Sequence, residues 1–465
     1  QESHSTDGGQ NWSTASNLSL EGQNARLPQV VMSSDGSKTI TVWERSDGVN
    51  TIIQESHSTD SGQSWSAVVN LSLEGQSAEL SQVAMSSSDG SQIVVVWQRS
   101  DGANTIIQES HSTDGGQNWS VAASLSLEGR SALDPQVAIS SDGSKAVAVW
   151  QRSDGSNIII QESHSTDGGQ NWSAASNLSQ GGRNAFDGQV AMNSDGSNIV
   201  AVWGRSDGVN YIVQESHSTD GGQNWSAGAN LSLEGQDGGF PQVAMSSDGS
   251  KIVAVWARSE GASWIIQESH STDGGQNWSA AANLSLSSAE STTSDIWGRS
   301  GRENWILQES HSTDGGQNWS AAAYVSLSSD GSNSVAVWRR FDGANWIIQE
   351  SHSTDGGQNW SIASNLSLEG RNARLPQVVM SSDGSKTITV WERSDGANTI
   401  IQESHSTDGG QSWSAAVNLS LEGQSAELSQ VAMSSNDGSQ GSKRPVTASR
   451  HELRWIQSCS RLAAI

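Results

Sequence analysis

The 465-residue chain has one cysteine, Cys459, which excludes an internal disulfide framework and any metal cluster built on cysteine. Phenylalanine and tyrosine are nearly absent, at three and two residues, and only 33% of the chain is hydrophobic. A core must therefore rest on the 21 tryptophans and on alternating Val, Ile and Ala. Basic residues are few, 24 against 50 acidic, for a formal net charge of −26. A surface of that sign repels phosphate backbones and anionic bilayers, so no nucleic-acid partner is expected. No apolar run approaches the roughly 18 residues that cross a bilayer, and no membrane insertion is expected. No leader segment is visible, but the chain opens at Gln1 inside a repeat, so a preceding leader stays open.

What is present is repetition. The phrase beginning Gln-Glu-Ser-His-Ser starts at Gln1, Gln54, Gln108, Gln161, Gln214, Gln267, Gln308, Gln349 and Gln402, at spacings of 53, 54, 53, 53, 53, 41, 41 and 53. A fixed period of this size marks a solenoid, propeller or array. Within one unit, residues 82–94 read as a strand, a Ser-Asp-Gly turn and the start of a second strand, which ends at the turn 99–104. Residues 105–112 form a third run and 118–127 a fourth, each bounded by Asp-Gly or Gly-Gly turns, the mark of antiparallel hairpins. No helical period survives between them. Four antiparallel strands per unit make a propeller blade, so the expected fold class is all-β: a β-propeller over residues 1–440, with nine units or, alternatively, seven blades plus extra units. The two short units lack one segment and are expected to have lost their first strand. The chain starts on a third strand and ends its repeats on a first strand, so the two ends could complete one blade. Residues 441–465 change composition abruptly and are expected to be a disordered tail.

The stretch Ser112-Thr113-Asp114-Gly115-Gly116-Gln117-Asn118-Trp119 fits the pattern S-x-D-x-G-x-x-W, as do all nine units from Ser5–Trp12 to Ser406–Trp413. It resembles the Asp-box, or BNR, repeat of sialidases and related propeller proteins. The resemblance implies a turn between third and fourth strands, with Asp capping backbone N–H groups and Gly taking the positive-φ position. It also raises a sialidase-like glycoside hydrolase, which would need an arginine triad, a Tyr–Glu pair and an acid/base Asp. Only Tyr211 and Tyr324 could be that tyrosine. Arg26-Leu27-Pro28, repeated at Arg374-Leu375-Pro376, is loosely similar to an Arg-Ile-Pro element of that family. Arg45, Arg99, Arg152 and Arg205 belong to the repeated phrase and read as structural.

Residues constant in every unit read as blade structure, including His4, His57, His111, Glu55 and Glu109. No catalytic residue, metal ligand or cofactor is assigned, although calcium at the oxygen-rich Asp-Gly turns is an alternative. Variation is more informative. It falls in the stretches 23–28, 76–81, 130–135, 183–188 and 236–241, and just after the turn between second and third strands. Both are expected on one face, with the Asp-type turns on the other, and variable loops on one face suit a binding surface or relaxed constraint. The position after the second turn reads Thr51, Thr105, Ile158, Tyr211, Trp264, Trp305, Trp346 and Thr399. Exposed rings there would stack on sugar faces, or else fill space beside the short units. Isolated loop carboxylates stand at Asp134, Asp187 and Asp237. The expected ligand-binding residues are Tyr211, Trp264, Trp305, Trp346, Arg183 and Asp187. The expected function is a secreted or cell-surface, non-catalytic binding module or scaffold whose partner is a carbohydrate or protein ligand; the hydrolase is the alternative.

Overall fold

The computed structural model describes residues 2–5, 13–14, 16–19, 25–284, 324–433 and 453–458, apart from 47, 74, 234, 236, 261–262, 329, 342–344, 368–371, 382, 395–397 and 421–426. Seven four-stranded antiparallel sheets follow one another along the chain at residues 25–70, 78–124, 132–177, 185–230, 238–283, 324–365 and 373–418, numbered here blades 1 to 7. An eighth, three-stranded sheet joins the chain ends: Leu453–Ser458 pairs with both Glu2–Ser5 and Glu427–Met433. Glu427–Met433 packs on the first strands of blade 7 and blade 1, so the ring closes through this sheet.

The expectation of nine blades is thereby corrected to seven complete ones, in agreement with the alternative expectation of seven blades. Of the nine repeated phrases, seven supply third strands to the blades, the one at Gln1 lies in the closing sheet, and the one at Gln308 falls outside the described residues. The ends do meet in one sheet, but tail residues form the strand between them; the rest of the tail lies outside the described residues. Blade 6, built on a short unit, keeps a first strand, Tyr324–Leu327, reduced to four residues. The fourth strand is shorter than expected, two paired residues such as Ala123–Ser124, because the chain after each tryptophan pairs with the third strand only briefly.

Second and third strands are buried almost end to end, since each blade is covered on both faces by its neighbours. The core lies between blades. Ile40, Val42 and Ile53 of blade 1 pack with Ala78, Ile93, Val95 and Trp97 of blade 2, with Trp119 at the edge. The tryptophan within each second strand (Trp43, Trp97, Trp150, Trp203, Trp256, Trp338, Trp391) is 0–4% exposed. Such a ring stands in for the missing Phe and Tyr, and truncating one costs about 3–5 kcal/mol. Many polar groups of the third strand bond within the blade. Ile53 N donates to Ser72 Oγ at 2.8 Å, Gln54 Nε2 to Asn70 Oδ1 at 2.7 Å, and Ser56 Oγ to Ser66 O at 3.0 Å.

One end of every blade is wired by its turns. Asp114 Oδ1 accepts from Ser112 Oγ and Asn118 N, both at 2.9 Å, and Gly116 N donates to Ser112 Oγ at 2.9 Å. Gly115 and Gly116 have φ of 78° and 94°, the positive region that the turn demands. A Cβ on Gly116 would lie 2.9 Å from His57 Nδ1 of the preceding blade, so turn and neighbour interlock. Backbone bonds continue the linkage around the ring: Ser34 N to Ser87 O, Ser88 N to Ser141 O, Ser141 N to Ser194 O and Ser194 N to Ser247 O, at 2.7–2.9 Å.

Candidate functional site at the variable face

The opposite end carries the variation. First strands of neighbouring blades pack against one another, which makes them the innermost strands. The variable stretches are not connections, as the sequence suggested. The last four of the six residues in each are the start of a first strand such as Ala78–Met85 or Ala185–Met192. There the register breaks by a bulge, between Leu133 and Gln136 in blade 3 and between Phe186 and Gln189 in blade 4. The third residue of each such strand has a left-handed backbone: Leu27, Leu80, Asp134, Asp187, Phe240 and Leu375, with φ between 49° and 57°. This conformation costs roughly 1–2 kcal/mol per non-glycine residue. Blades 1 to 5 and 7 thus place a strained, blade-specific residue on the inner strand.

The residue after each core tryptophan supports these bulges, and it too differs by blade: Glu44, Gln98, Gln151, Gly204, Ala257, Arg339 and Glu392. Glu44 Oε1 accepts from Leu80 N of the next blade at 2.6 Å, and Gln98 Oε1 from Asp134 N at 3.4 Å. Arg26 Nε bonds Glu44 Oε2 at 2.7 Å, and Arg374 Nε bonds Glu392 Oε2 at the same distance. Burial pushes Glu44 up, against the pull of the Leu80 N–H and Arg26. The two arginines singled out for a sialidase-like role are therefore engaged with fully buried glutamates.

Blade 4 is built differently. Gly204 leaves room that Phe186 fills: a Cβ on Gly204 would meet Phe186 Cε2 at 2.7 Å. Phe186 in turn stands edge-on to Tyr211, with centroids 4.9 Å apart and planes at 81°. Tyr211 is 44% exposed. Arg183 is exposed and lies against the blade's outer turn, its Nη1 2.6 Å from where a Gly208 Cβ would be. Asp187, next to Phe186, is only 9% exposed. Burial, and then the Asp134 charge, pushes its carboxyl up to about 7; burial alone takes Asp134 to about 6. Asp134 Oδ2 accepts from Gln151 Nε2 at 2.6 Å. The structure thus brings Tyr211, Arg183 and Asp187 together at blade 4 with Phe186, and Asp134 holds the equivalent bulge position in neighbouring blade 3.

The other sequence candidates fall elsewhere. Trp346 is not an exposed ring: it is 6% exposed and lies under the Arg339 guanidinium, 3.9 Å from its centroid. Desolvation, then the Arg374 charge, lowers Arg339 to about 9, still protonated at neutral pH. Trp264 stands in the third strand of blade 5, in register with Ser259. Trp305 lies outside the described residues. Asp237 is spent on a backbone cap, accepting from Tyr211 N at 2.8 Å, as Asn184 does from Ile158 N at 2.9 Å. The histidines repeat without variation: His57 Nδ1 lies 3.3 Å from Glu55 Oε2, and His164 Nδ1 3.2 Å from Glu162 Oε2. Among the described residues there is no group of three His, Cys, Asp or Glu placed to hold a metal, and no helix is long and apolar enough to cross a membrane.

No protein-family model matches the chain, and no curated protein matches it in sequence. Among solved structures, a polysaccharide lyase described as an ulvan lyase is similar over 86% of this chain and 96% of its own, with 9% identity and a TM-score of 0.49. The NanB sialidase of Streptococcus pneumoniae is similar over 88% of both chains, with 10% identity and a TM-score of 0.40. A Dyadobacter fermentans protein of unknown function is similar over 72% of this chain and 96% of its own, with 12% identity and a TM-score of 0.42. Likeness at this level transfers no activity. The fold itself is an all-β propeller of four-stranded antiparallel blades.

Proposed function

We propose that the protein is an extracellular, non-catalytic carbohydrate-binding propeller whose ligand sits on the variable face at blade 4. The observation that carries this reading is the Phe186–Tyr211 pair, two of the chain's five Phe and Tyr residues, meeting edge-on over a glycine that no other described blade has at that position. A half-exposed ring braced by a second ring presents an apolar face with little entropy left to lose, which suits the C–H face of a sugar. Arg183 and Asp187 beside it supply a donor and an acceptor for hydroxyl groups. The hydrolase alternative has less behind it, because Arg26 and Arg374 are held by Glu44 and Glu392.

The test is a glycan array probed with the intact protein and with Tyr211→Ala, after circular dichroism shows both folded. Selective binding by the intact protein, weakened at least tenfold in the variant, is the expected result. An array silent for the intact protein overturns the proposal.

A further inference from the structure

Asp134 and Asp187 occupy bulge positions that sister blades fill without a carboxylate. Leucine or phenylalanine occupies the same bulge position in blades 1, 2, 5 and 7, with the same left-handed backbone. A carboxylate is therefore not needed to make the bulge. Two adjacent blades, whose first strands pack against each other, nevertheless place one there. Asp134 is half-buried and holds one hydrogen bond, from the neutral Gln151. Asp187 is more than nine-tenths buried, and among the described residues no donor reaches its carboxylate. A buried, unpaired carboxylate is costly, and a second acid beside it adds to the cost. Among the described residues no lysine or arginine offsets either one, and the side chains that reach Asp134 from the second strands of blades 2 and 3 are the uncharged Gln98 and Gln151. The missing partner is a cation.

Resting on the carbohydrate reading above, we infer that Asp134 and Asp187 form a cation-accepting subsite beside the Phe186–Tyr211 platform, which selects sugars bearing a free amino group over neutral and acidic ones. An ammonium group has three donors for the two carboxylates, and its charge relieves their mutual repulsion. Phe186 is the chain neighbour of Asp187, so a sugar ring stacked on the platform lies next to the acid pair. An acidic sugar brought to the same place meets two carboxylates and is rejected. As pH falls from 7 to 5 the pair takes up protons and loses its charge, so affinity for an amine falls with it.

The experiment titrates three hexasaccharides into the full chain at pH 7 and pH 5: one of glucosamine, its fully N-acetylated counterpart, and one of galacturonate. The glucosamine oligomer is expected to bind at least tenfold tighter than the N-acetylated one at pH 7, with the preference shrinking at pH 5. Asp134→Asn/Asp187→Asn is expected to abolish the preference, so that the variant binds the glucosamine oligomer no tighter than its N-acetylated counterpart at either pH. Equal binding of the glucosamine and N-acetylated oligomers, or stronger binding of galacturonate, overturns this inference and leaves the carbohydrate reading intact. Failure of every oligomer here, together with a silent glycan array, overturns both.

Discussion

At the scale of single residues, the repeated units make their own controls. Six described turns place glycine at the first positive-φ position, from Gly115 to Gly409, with φ of 73–78°, whereas blade 1 places Ser61 there at 61°. Ser61→Gly is expected to stabilise the protein by about 1 kcal/mol through relief of left-handed strain, read as a higher urea midpoint. A lower midpoint would show that Ser61 makes a compensating contact. Asp187 offers a larger effect with a definite sign. In the fold it stays protonated up to about 7, while in the unfolded chain it ionises near 3.8. Its contribution is therefore fully present below about 3.8 and is lost as pH rises through about 7. Asp187→Asn should raise stability at pH 8 by up to about 4 kcal/mol and leave it nearly unchanged at pH 3.5. Urea unfolding at the two pH values checks this, and an equal effect at both would refute it.

At the scale of the blade, the same four-strand element is a generic wall in most of the ring and a specialised one at blade 4. The specialisation needs a side chain to be absent: Gly204→Gln, which installs the residue found at Gln98 and Gln151, should drive Phe186 from its seat and weaken sugar binding at least tenfold without unfolding the chain. Trp346 should behave in the opposite way. Buried under Arg339, its replacement by Ala should cost about 3 kcal/mol in a thermal or urea melt and leave ligand affinity within twofold. The sequence made much of this element legible. Its Asp-Gly turns marked the hairpins, and the S-x-D-x-G-x-x-W stretch lies between third and fourth strands as expected. The bulge was not legible. Stretches such as 130–135 contain polar residues and proline and break the strand alternation, because two residues of the bulge drop out of register. They read as connections for that reason. What pointed to them was variability at a fixed offset before the constant Gln-Val pair. Likewise, Tyr211 stands beside three tryptophans in the sequence pattern, but its pairing with Phe186 needs Gly204, whose meaning is spatial.

At the scale of the whole molecule, the ring divides its two ends between stability and recognition. One end is wired by turn carboxylates and by backbone bonds running from blade to blade, and it is nearly invariant. The other carries the strained inner bulges and the side chains of the candidate site. Repetition also multiplies small electrostatic effects. The Glu162, Glu215 and Glu268 side chains hold His164, His217 and His270 above the ordinary histidine range. Burial holds Glu55, Glu109, Glu215, Glu268 and Glu403 above the carboxylate range. Raised groups of both kinds contribute stability at low pH that is lost as pH rises through their folded values. With Asp134 and Asp187 titrating in the fold at about 6 and about 7, overall stability should therefore decline as pH rises through those values, checked by urea midpoints on either side of them. The central claim, that blade 4 is the ligand seat of an otherwise generic ring, is tested most directly by calorimetric titration of the array's strongest saccharide into the intact protein, Gly204→Gln and Ala257→Gln. The last of these makes the same change in blade 5. The account predicts at least a tenfold loss for Gly204→Gln alone, and equal affinities for all three proteins would contradict it.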